Sequence, residues 1–433
     1  MYSYKIEGGT PLRGDISISG SKNAVLGILA AAMLLDGPCE LENVPDISDV
    51  HVMVDLCRSI GATITSKGAY SLRIDPTTIH TYKATGPLVA RIRASYYLLG
   101  ALLGRFGKAS LRMPGGCNFG QRPIDYHLKA FKLMGAKGTN SRDMDNGIIN
   151  LVADNLKGAK VFFDIASVGI NVMLAACKAQ GTTIINNAAK EPHIVDVANF
   201  LNSMGAKIKG AGTDVIKITG VPVLPGNFSY SIIPDQIEAG TYMIAAAVTG
   251  GDVTIHNLIP THMEPLSAKM REMGYTIDED DESIRVYKED DAEIEGTNFK
   301  TAPYPGFPTD LQPQAVVLLC LAKGLSKMHE NVWETRFQYV PELIRMGASI
   351  NTIERVALVS GVDKLKPANV GATDLRAGAA LVCAALSAEG TSYIAHASKI
   401  DRGYENICEK LTALGATIER VEGLEYEHED QEV

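Results

Sequence analysis

Six cationic residues lie at corresponding points of the sequence, each at the start of a predicted helix. Lys22, Arg93 and Arg376 lie at the start of predicted apolar helices. Arg122, Arg336 and Arg402 lie at the start of predicted amphipathic helices. A cation at a helix N-terminus opposes the helix dipole, so it costs stability unless an anion lies beside it. Helix N-termini themselves bind anions. The pattern therefore predicts a site lined by cations for a ligand with several negative charges, such as phosphates.

One cysteine stands apart from the others, in the glycine-rich residues 113–123. Cys117 precedes Arg122 by five residues, and a loop thiol beside a cation can have a lowered pKa and act as an acid or a nucleophile. An exposed thiol without chemistry fits the sequence equally well. The other cysteines fall in predicted helices or strands and are interpreted as packing residues: Cys39, Cys57, Cys177, Cys320, Cys383 and Cys408.

The remaining polar candidates have a structural interpretation beside a functional one. His127 lies shortly after the Cys117 loop and either orients a ligand or packs as a structural histidine. Asp235, Asp310 and Asp374 precede apolar helices, where an aspartate favours capping of the helix N-terminus. The sequence has no Walker loop and no GxGxxG segment, so any nucleotide is bound by a different architecture.

An internal repeat positions these residues along the chain. Each repeat closes on a Gly–Ala or Gly–Tyr pair, and the glycines are Gly61, Gly135, Gly205, Gly274, Gly347 and Gly415. Every repeat reads as a strand, an apolar helix, a strand, a loop, an amphipathic helix and further strand. In the first repeat these elements are predicted at residues 16–19, 24–35, 40–44 and 50–60. Glycine after the second helix fits a left-handed C-cap, and six such units predict a compact α/β protein.

Composition and charge exclude several classes of protein. The chain is 46% hydrophobic and 21% charged, with a net charge of −9, which argues against a protein that coats nucleic acid or anionic membrane. Residues 421–433 carry six acidic and no basic side chains, which predicts a flexible acidic tail. Seven cysteines without a CxxC pair argue against disulfides and a zinc site. With no apolar stretch long enough to span a membrane, we expect a cytoplasmic protein.

Ten short motifs in order along the chain resemble the enolpyruvyl transferases, and among these the enzymes that act on UDP-N-acetylglucosamine. The motifs are SGSKN (19–23), IRAS (92–95), PGGC (114–117), RPID (122–125), SVG (167–169), IPD (233–235), GFPTD (306–310), ETRF (334–337), ATDLR (372–376) and IDRGY (400–404). Each is weak alone, but their shared order over nearly the whole chain is specific.

The resemblance implies two inside-out α/β barrel-like domains, each of three βαβαββ-type repeats, with the active site in the cleft between them. One domain would comprise residues 1–21 and 235–433, and the other, carrying the Cys117 loop, residues 22–234. The implied reaction transfers the enolpyruvyl group of phosphoenolpyruvate to the 3'-hydroxyl of UDP-N-acetylglucosamine by addition and elimination, releasing phosphate. It is the first committed step of peptidoglycan precursor synthesis and requires no metal or redox cofactor. The alternatives are the relative that acts on shikimate 3-phosphate and a catalytically silent nucleotide-sugar-binding paralogue.

The resemblance also implies roles for individual residues. Cys117 matches the family's acid, which fosfomycin alkylates, and Asp310 matches the carboxylate at the sugar 3'-hydroxyl; Lys22 and Arg402 join them as catalytic positions. The positions that bind phosphoenolpyruvate correspond to Lys22, Asn23, Arg93, Cys117, Arg122, Arg336, Arg376 and Arg402, with Asp374 in support. Those that bind UDP-N-acetylglucosamine correspond to Asn23, Arg93, Arg122, Pro123, Asp125, His127, Ser167, Val168, Gly169, Asp310 and Val332. Ile165 departs from the family, because some members have a lysine there, near the diphosphate.

Overall fold

The α-helices alternate with short strands throughout the chain. The computed structural model describes residues 2–114, 124–138, 147–163 and 169–422. Within these ranges the α-helices are α1 (Lys22–Ala32), α2 (Ser48–Ser59), α3 (Tyr97–Phe106), α4 (Asp125–Leu133), α5 (Gly169–Ala176), α6 (Pro192–Ser203), α7 (Gln236–Val248), α8 (Pro260–Met273), α9 (Gln312–Cys320), α10 (Val340–Arg345), α11 (Leu375–Ser387) and α12 (Ile407–Ala413).

The strands are mostly three to six residues long. In the same ranges they are β1 (Tyr2–Gly8), β2 (Arg13–Ser17), β3 (Cys39–Glu42), β4 (Thr63–Gly68), β5 (Ser71–Asp75), β6 (Lys83–Ala84), β7 (Lys108–Arg112), β8 (Lys137–Gly138), β9 (Ile148–Val152), β10 (Lys160–Phe162), β11 (Thr182–Asn186), β12 (Lys207–Lys209), β13 (Val215–Thr219), β14 (Ser229–Ser231), β15 (Asp252–His256), β16 (Thr276–Glu279), β17 (Ser283–Tyr287), β18 (Asn298–Lys300), β19 (Leu325–His329), β20 (Ser349–Ile353), β21 (Val356–Ser360), β22 (Asn369–Gly371), β23 (Gly390–Ala395) and β24 (Thr417–Glu422).

The chain forms two compact units, each with its own hydrophobic core. The two-segment unit comprises Met1–Ser19 and Pro234–Val433, and the continuous unit comprises Gly20–Ile233. The sheets of the two-segment unit have the strand orders β22-β23-β1-β24, β16-β17-β15-β2 and β18-β19-β21-β20. Those of the continuous unit have the orders β14-β3-β5-β4, β6-β7-β9-β8 and β10-β11-β13-β12.

One pairing pattern recurs in all of these sheets. An edge strand pairs in parallel with its neighbour, and in four sheets a helix joins these two strands, as α9 joins β18 to β19. The other two strands then add in antiparallel fashion, as β21 and β20 do. Where a helix joins the two strands, this crossover explains the parallel pair, and the tight turn between β20 and β21 explains their antiparallel pairing. The repeats predicted from the Gly–Ala spacing therefore correspond to real folding units.

The strand predicted at residues 16–19 is wrongly assigned to the first repeat. The structure has β2 at Arg13–Ser17, and β2 pairs in parallel with β15, with Ile16 opposite Ile255. The edge position beside β3 is taken instead by β14, where Tyr230 lies opposite Leu41. The error arose because a strand directly before a helix was assigned to that helix's sheet. The chain in fact passes from one unit to the other between the two elements.

The repeat glycines all adopt left-handed backbone conformations. Their φ angles run from 88° at Gly347 to 109° at Gly61, and Gly135, Gly205, Gly274 and Gly415 lie between. Residues with a Cβ atom rarely adopt this backbone conformation because of steric clashes, which is why glycine follows the second helix of each repeat. The predicted left-handed C-caps are therefore confirmed.

The first helix of each repeat is buried nearly all round. In α7, every residue from Ile237 to Val248 is buried, and α11 is buried from Leu375 to Leu386. Small residues let these helices approach closely: a Cβ built on Gly100 of α3 would lie 2.0 Å from the carbonyl oxygen of Asn171 in α5. No helix in the described part of the chain is long and apolar enough to cross a membrane.

We expect Gly100→Ala to lower the free energy of unfolding by about 2 kcal/mol, because the added methyl overlaps backbone that cannot rotate away. Besides the Asn171 carbonyl, that Cβ would lie 2.5 Å from the Asn171 amide oxygen. Gly86→Ala is the matched control, since a Cβ there meets nothing within 4 Å. Urea unfolding of the two variants tests this, and equal midpoints would contradict the close helix contact.

Candidate functional site

Asp310 lies on a short 3₁₀ turn, Thr309–Leu311, that leads into the buried helix α9. Pro308 precedes the turn and Pro313 lies in the first turn of α9, so proline fixes the chain direction on both sides. The hydroxyl of Thr309 donates to Glu330 Oε2 at 3.0 Å. These contacts hold the Asp310 backbone at the N-terminal end of the helix while its side chain stays 30% exposed.

Arg376 is the second residue of α11, and its backbone is fixed by a helix cap. Asp374 Oδ1 accepts from the backbone N–H groups of Arg376 at 2.8 Å and Ala377 at 3.2 Å. The side chain of Arg376 is only 5% exposed, and that of Arg336 is 2% exposed. Arg336 opens the 3₁₀ turn that precedes α10, and its Nη2 donates to the carbonyl of Thr309 at 3.0 Å.

The guanidinium groups of these two arginines meet the same carboxylate. Arg376 Nη2 donates to Asp310 Oδ2 at 3.2 Å, and Arg336 Nη2 lies 3.7 Å from Asp310 Oδ1. Burial lowers the pKa of Arg376, but the charges of Asp310, Tyr404 and Asp235 and the hydrogen bond to Tyr404 together raise that pKa above its ordinary value. Arg376 also contacts Tyr404, whose hydroxyl lies 3.4 Å from Nη1. We call Asp310, Arg336, Arg376 and Tyr404 the Asp310 cluster.

The capping prediction holds for two aspartates and is wrong for the third. Asp235 Oδ1 accepts from the backbone N–H of Ile237 at 2.8 Å, which caps α7, as Asp374 caps α11. Asp310 is not an N-cap residue: Pro308 has that position in its 3₁₀ turn and Leu311 has it in α9. Its carboxylate faces the two guanidinium groups instead, because opposite charge outweighs the gain from a backbone cap.

Glu330 organises the segment around Asp310, although nothing in the sequence singles it out. Its buried carboxylate accepts from the hydroxyls of Thr301 and Thr309 and from the backbone N–H of Val332. Val332, predicted to contact the nucleotide sugar, is thereby held through its backbone, and its side chain remains partly exposed. A lone glutamate after a strand carries no recognisable pattern, so no sequence signal was available for it.

In the continuous unit, Lys22 is paired with a carboxylate that the sequence analysis also missed. Lys22 Nζ lies 2.9 Å from Asp49 Oδ2, and the two side chains are 11% and 5% exposed. Lys22 is the first residue of α1, and Asp49 lies in the first turn of α2. An acidic residue in a first helical turn is common, because it complements the helix dipole. The position of Asp49 therefore gives no sign in the sequence that it pairs with Lys22.

Arg93 and His127 lie close to each other in the same unit. Burial and the charge of Arg93 lower the pKa of His127 to about 3, so this histidine is neutral at physiological pH. Its Nδ1 lies 3.3 Å from the Asn171 amide nitrogen, and its ring meets Tyr96 edge-on at 4.9 Å. These contacts fix the orientation of the ring, and they agree with either of the two interpretations that the sequence left open.

Other candidates occupy helix starts or turns. Asn23 is the second residue of α1, Asp125 begins α4 with an exposed side chain, and Gly169 begins α5. Arg402 lies half-buried in the turn that precedes α12. The predictions for the following residues fall outside the described part of the chain: Cys117, Arg122, Pro123, Ser167, Val168, Ile165 and positions 423–433 of the acidic tail.

The six cysteines interpreted as packing residues are confirmed in that role. Cys39, Cys57, Cys177, Cys320 and Cys383 are buried, and Cys408 is partly buried. Burial raises the pKa of the Cys57 and Cys383 thiols to about 12, so they remain uncharged. Among the described residues, no group of three or more His, Cys, Asp or Glu side chains is arranged to hold a metal ion.

The clustered charges allow a defined chemistry. A partly exposed carboxylate between two buried guanidinium groups can accept a proton from a ligand hydroxyl, and the arginines hold adjacent anionic groups. Two of the cations that sequence reasoning assigned to an external anion are also paired within the protein, Arg376 with Asp310 and Lys22 with Asp49. Carboxylate partners of this kind fix the position of each cation before a ligand binds.

Comparisons with known proteins agree with these features. The family described as EPSP synthase (3-phosphoshikimate 1-carboxyvinyltransferase) matches residues 6–411. A relative named UDP-N-acetylglucosamine 1-carboxyvinyltransferase 3, from Caldanaerobacter subterraneus subsp. tengcongensis, is 51% identical over 97% of this chain and its own full length. Another, named UDP-N-acetylglucosamine 1-carboxyvinyltransferase, from Clostridium botulinum, is 52% identical over 97% of this chain and 100% of its own.

Solved structures of the same fold cover almost the whole chain. The enolpyruvyl transferase NikO from Streptomyces tendae superimposes with a TM-score of 0.87 at 26% identity, covering 97% of this chain and 98% of its own. EPSP synthase from Acinetobacter baumannii, at 17% identity, shares the fold with a TM-score of 0.75 over 98% of this chain and 100% of its own. The chain belongs to the enolpyruvyl transferase family, whose description is EPSP synthase (3-phosphoshikimate 1-carboxyvinyltransferase).

Proposed function

We propose that this protein transfers the enolpyruvyl group of phosphoenolpyruvate to the 3'-hydroxyl of UDP-N-acetylglucosamine and releases phosphate. The observation that carries the proposal is the 51–52% identity, over 97% of the chain, to relatives named for that acceptor. The reaction is the first committed step of peptidoglycan precursor synthesis, which fits a cytoplasmic transferase that serves cell-wall growth, cell shape and division. The substrates are both polyanions, which agrees with the cations at the helix starts.

The chemistry requires an acid and a base. The acid protonates the methylene carbon of phosphoenolpyruvate while the sugar 3'-oxygen attacks the adjacent carbon and gives its proton to the base. The resulting tetrahedral ketal then loses phosphate and the methyl proton, which regenerates the enol ether. We propose Asp310 as the base, because its carboxylate is 30% exposed and borders two buried guanidinium groups. We propose Cys117 as the acid.

Cations stabilise the charges that both substrates bring and that the ketal retains. In this proposal Lys22, Arg93, Arg122, Arg336 and Arg402 hold the phosphate and carboxylate of phosphoenolpyruvate. Arg376 and Asp374 support the site, and the cap that Asp374 makes to Arg376 N at 2.8 Å agrees with that role. The nucleotide sugar contacts Asn23, Arg93, Arg122, Pro123, Asp125, His127, Ser167, Val168, Gly169, Asp310 and Val332. We propose that the two units are inside-out barrel-like domains with this site in the cleft between them.

Phosphate release with each acceptor tests the proposed activity. With phosphoenolpyruvate and UDP-N-acetylglucosamine we expect steady release of inorganic phosphate, and with shikimate 3-phosphate a rate at least about 10²-fold lower, because an acceptor that lacks the recognised polar groups leaves buried partners unpaired. We expect Cys117→Ser to release phosphate more slowly, since an alcohol is a weaker acid than a thiol. Release with shikimate 3-phosphate alone would overturn the acceptor assignment, and release with neither acceptor would indicate a silent paralogue.

A further inference from the structure

A buried polar network contacts Nη1 of Arg376, whereas Asp310 contacts Nη2. It is formed by Thr241 of α7, Gln314 of α9 and Tyr404 of the turn before α12, and these side chains are at most 4% exposed. The Tyr404 hydroxyl lies 2.9 Å from Thr241 Oγ1, 3.2 Å from Gln314 Nε2 and 3.4 Å from Arg376 Nη1. One phenolic oxygen thus joins two of the buried helices to the Arg376 guanidinium.

With the Gln314 amide nitrogen toward the two hydroxyls, the hydroxyl protons of Thr241 and Tyr404 have one arrangement in which each proton has an acceptor. Thr241 Oγ1 donates its proton to the carbonyl of Ile237, 2.8 Å away and one turn earlier in α7. The Thr241 oxygen therefore accepts the proton of Tyr404. The other neighbours of the phenolic oxygen, Arg376 Nη1 and Gln314 Nε2, are donors only, so they use its lone pairs. Thr241 thereby orients the lone pairs of Tyr404 toward Arg376.

The guanidinium of Arg376 is divided between two partners. Its Nη2 donates to Asp310 Oδ2 at 3.2 Å, and its Nη1 points to Tyr404 at 3.4 Å. The guanidinium group is planar, and each of its two terminal nitrogens has its own partner, so the group cannot rotate without breaking one of the two contacts. Tyr404 thus fixes the plane in which Arg376 presents Nη2 to the carboxylate. The Tyr404 ring lies 5.7 Å from the centre of the guanidinium and adds a cation–π contact.

We propose that Tyr404, oriented by Thr241 and Gln314, is a positioning residue that holds the Arg376 guanidinium against Asp310 and so keeps that carboxylate ionised and aimed during proton transfer. The inference rests on the proposed function, since it gives Asp310 the role of base. Tyr404 itself is 2% exposed and acts through Arg376. Tyr404 is therefore a positioning residue and not a substrate contact.

Other charged groups near Arg376 and Asp310 limit how much the loss of the Tyr404 hydroxyl can change the Asp310 carboxylate. Asp310 also faces Arg336 at 3.7 Å, so it keeps one cation when Arg376 moves. Arg376 is influenced by the charge of Asp235 as well as that of Asp310. Loosening Arg376 therefore weakens the stabilisation of the Asp310 carboxylate without removing it. A carboxylate that loses part of its cationic surroundings has a higher pKa.

Steady-state kinetics of Tyr404→Phe test the proposal. The change removes one hydrogen bond to a charged group and keeps the ring, so we expect kcat to fall about fivefold with KM for UDP-N-acetylglucosamine within about twofold of wild type. The acidic limb of the kcat profile should move to higher pH, because a carboxylate that loses part of its cationic surroundings is easier to protonate. A purely structural tyrosine would not move that limb.

Matched variants separate positioning from packing. Tyr275→Phe removes the hydroxyl of another buried tyrosine in the same unit, 6% exposed, and should leave kcat and the pH profile unchanged. Thr241→Val removes the acceptor for the Tyr404 proton and should reproduce the profile of Tyr404→Phe, whereas Thr241→Ser should rescue it. An unaltered acidic limb in both Tyr404→Phe and Thr241→Val, or the same shift in Tyr275→Phe, would overturn the proposal.

A measurement without turnover distinguishes this proposal from the proposed activity. In the ¹⁵N-¹H spectrum, the Arg376 side-chain Nε–H signal, assigned by its loss in Arg376→Lys, should exchange with water faster in Tyr404→Phe than in wild type. An inactive wild type in which this acceleration is still seen would overturn the enzymatic function but keep the positioning contact. Equal exchange in the two proteins would overturn the positioning contact, whatever the activity.

Discussion

Asp310→Ala is expected to lower kcat for phosphate release by about 10³-fold, the scale typical of a lost general base. The carboxylate is the acceptor for the sugar hydroxyl proton in the proposed reaction, and no other carboxylate in the Asp310 cluster can replace it. The variant also leaves Arg336 and Arg376 facing each other without the anion between them, at 2% and 5% exposure. Repulsion between these cations should displace Arg376 and disturb anion binding further.

Asp252→Ala is the matched control for this variant. Asp252 belongs to the same unit, its side chain is 33% exposed against 30% for Asp310, and it pairs with Arg285 at 2.8 Å. The control removes an equally exposed, arginine-paired carboxylate and should leave kcat unchanged. Circular dichroism of both variants establishes that they are folded. A fall in kcat of less than about tenfold in Asp310→Ala would rule out this carboxylate as the base.

The repeat organisation was predictable because its signal is local. A glycine at a left-handed C-cap is required by backbone sterics alone, so Gly61 and its equivalents mark each repeat whatever surrounds them. The apolar helices were recognisable for the same reason, since burial on all sides leaves no polar face in the sequence. By contrast, the partner of a strand depends on where the chain goes next, and β14 takes the place beside β3 that was expected for the strand at residues 16–19.

The cations of the candidate site were predictable, whereas two of the carboxylates that organise it, Asp49 and Glu330, were not. Lys22, Arg336 and Arg376 stand out because a cation at a helix start is unfavourable and therefore informative. Asp49 and Glu330 do not stand out, because acidic residues at helix starts and after strands have ordinary explanations. Their importance comes from distances across the fold, such as the 2.9 Å between Lys22 Nζ and Asp49 Oδ2. Sequence patterns cannot report such distances.

Lys22→Met is expected to lower the free energy of unfolding by about 3 kcal/mol and to abolish phosphate release. The substitution leaves the Asp49 carboxylate, 5% exposed, without the ammonium group that lies 2.9 Å from it. Removing one member of a buried ion pair costs far more than removing both, since the remaining charge is poorly solvated. The double variant Lys22→Met with Asp49→Asn should therefore regain most of the lost stability.

The double variant separates the two roles of Lys22. If the lysine serves only to balance Asp49, restoring stability in the double variant should restore phosphate release as well. If its charge also holds a substrate anion, the double variant should unfold at nearly the wild-type urea concentration and remain inactive, with weaker phosphoenolpyruvate binding by calorimetry. We expect the second result, because Lys22 opens α1, where an ammonium group and the helix N-terminus together attract an anion. An active double variant would contradict the binding role, and equal stability losses in the single and double variants would contradict the energetic importance of the pair.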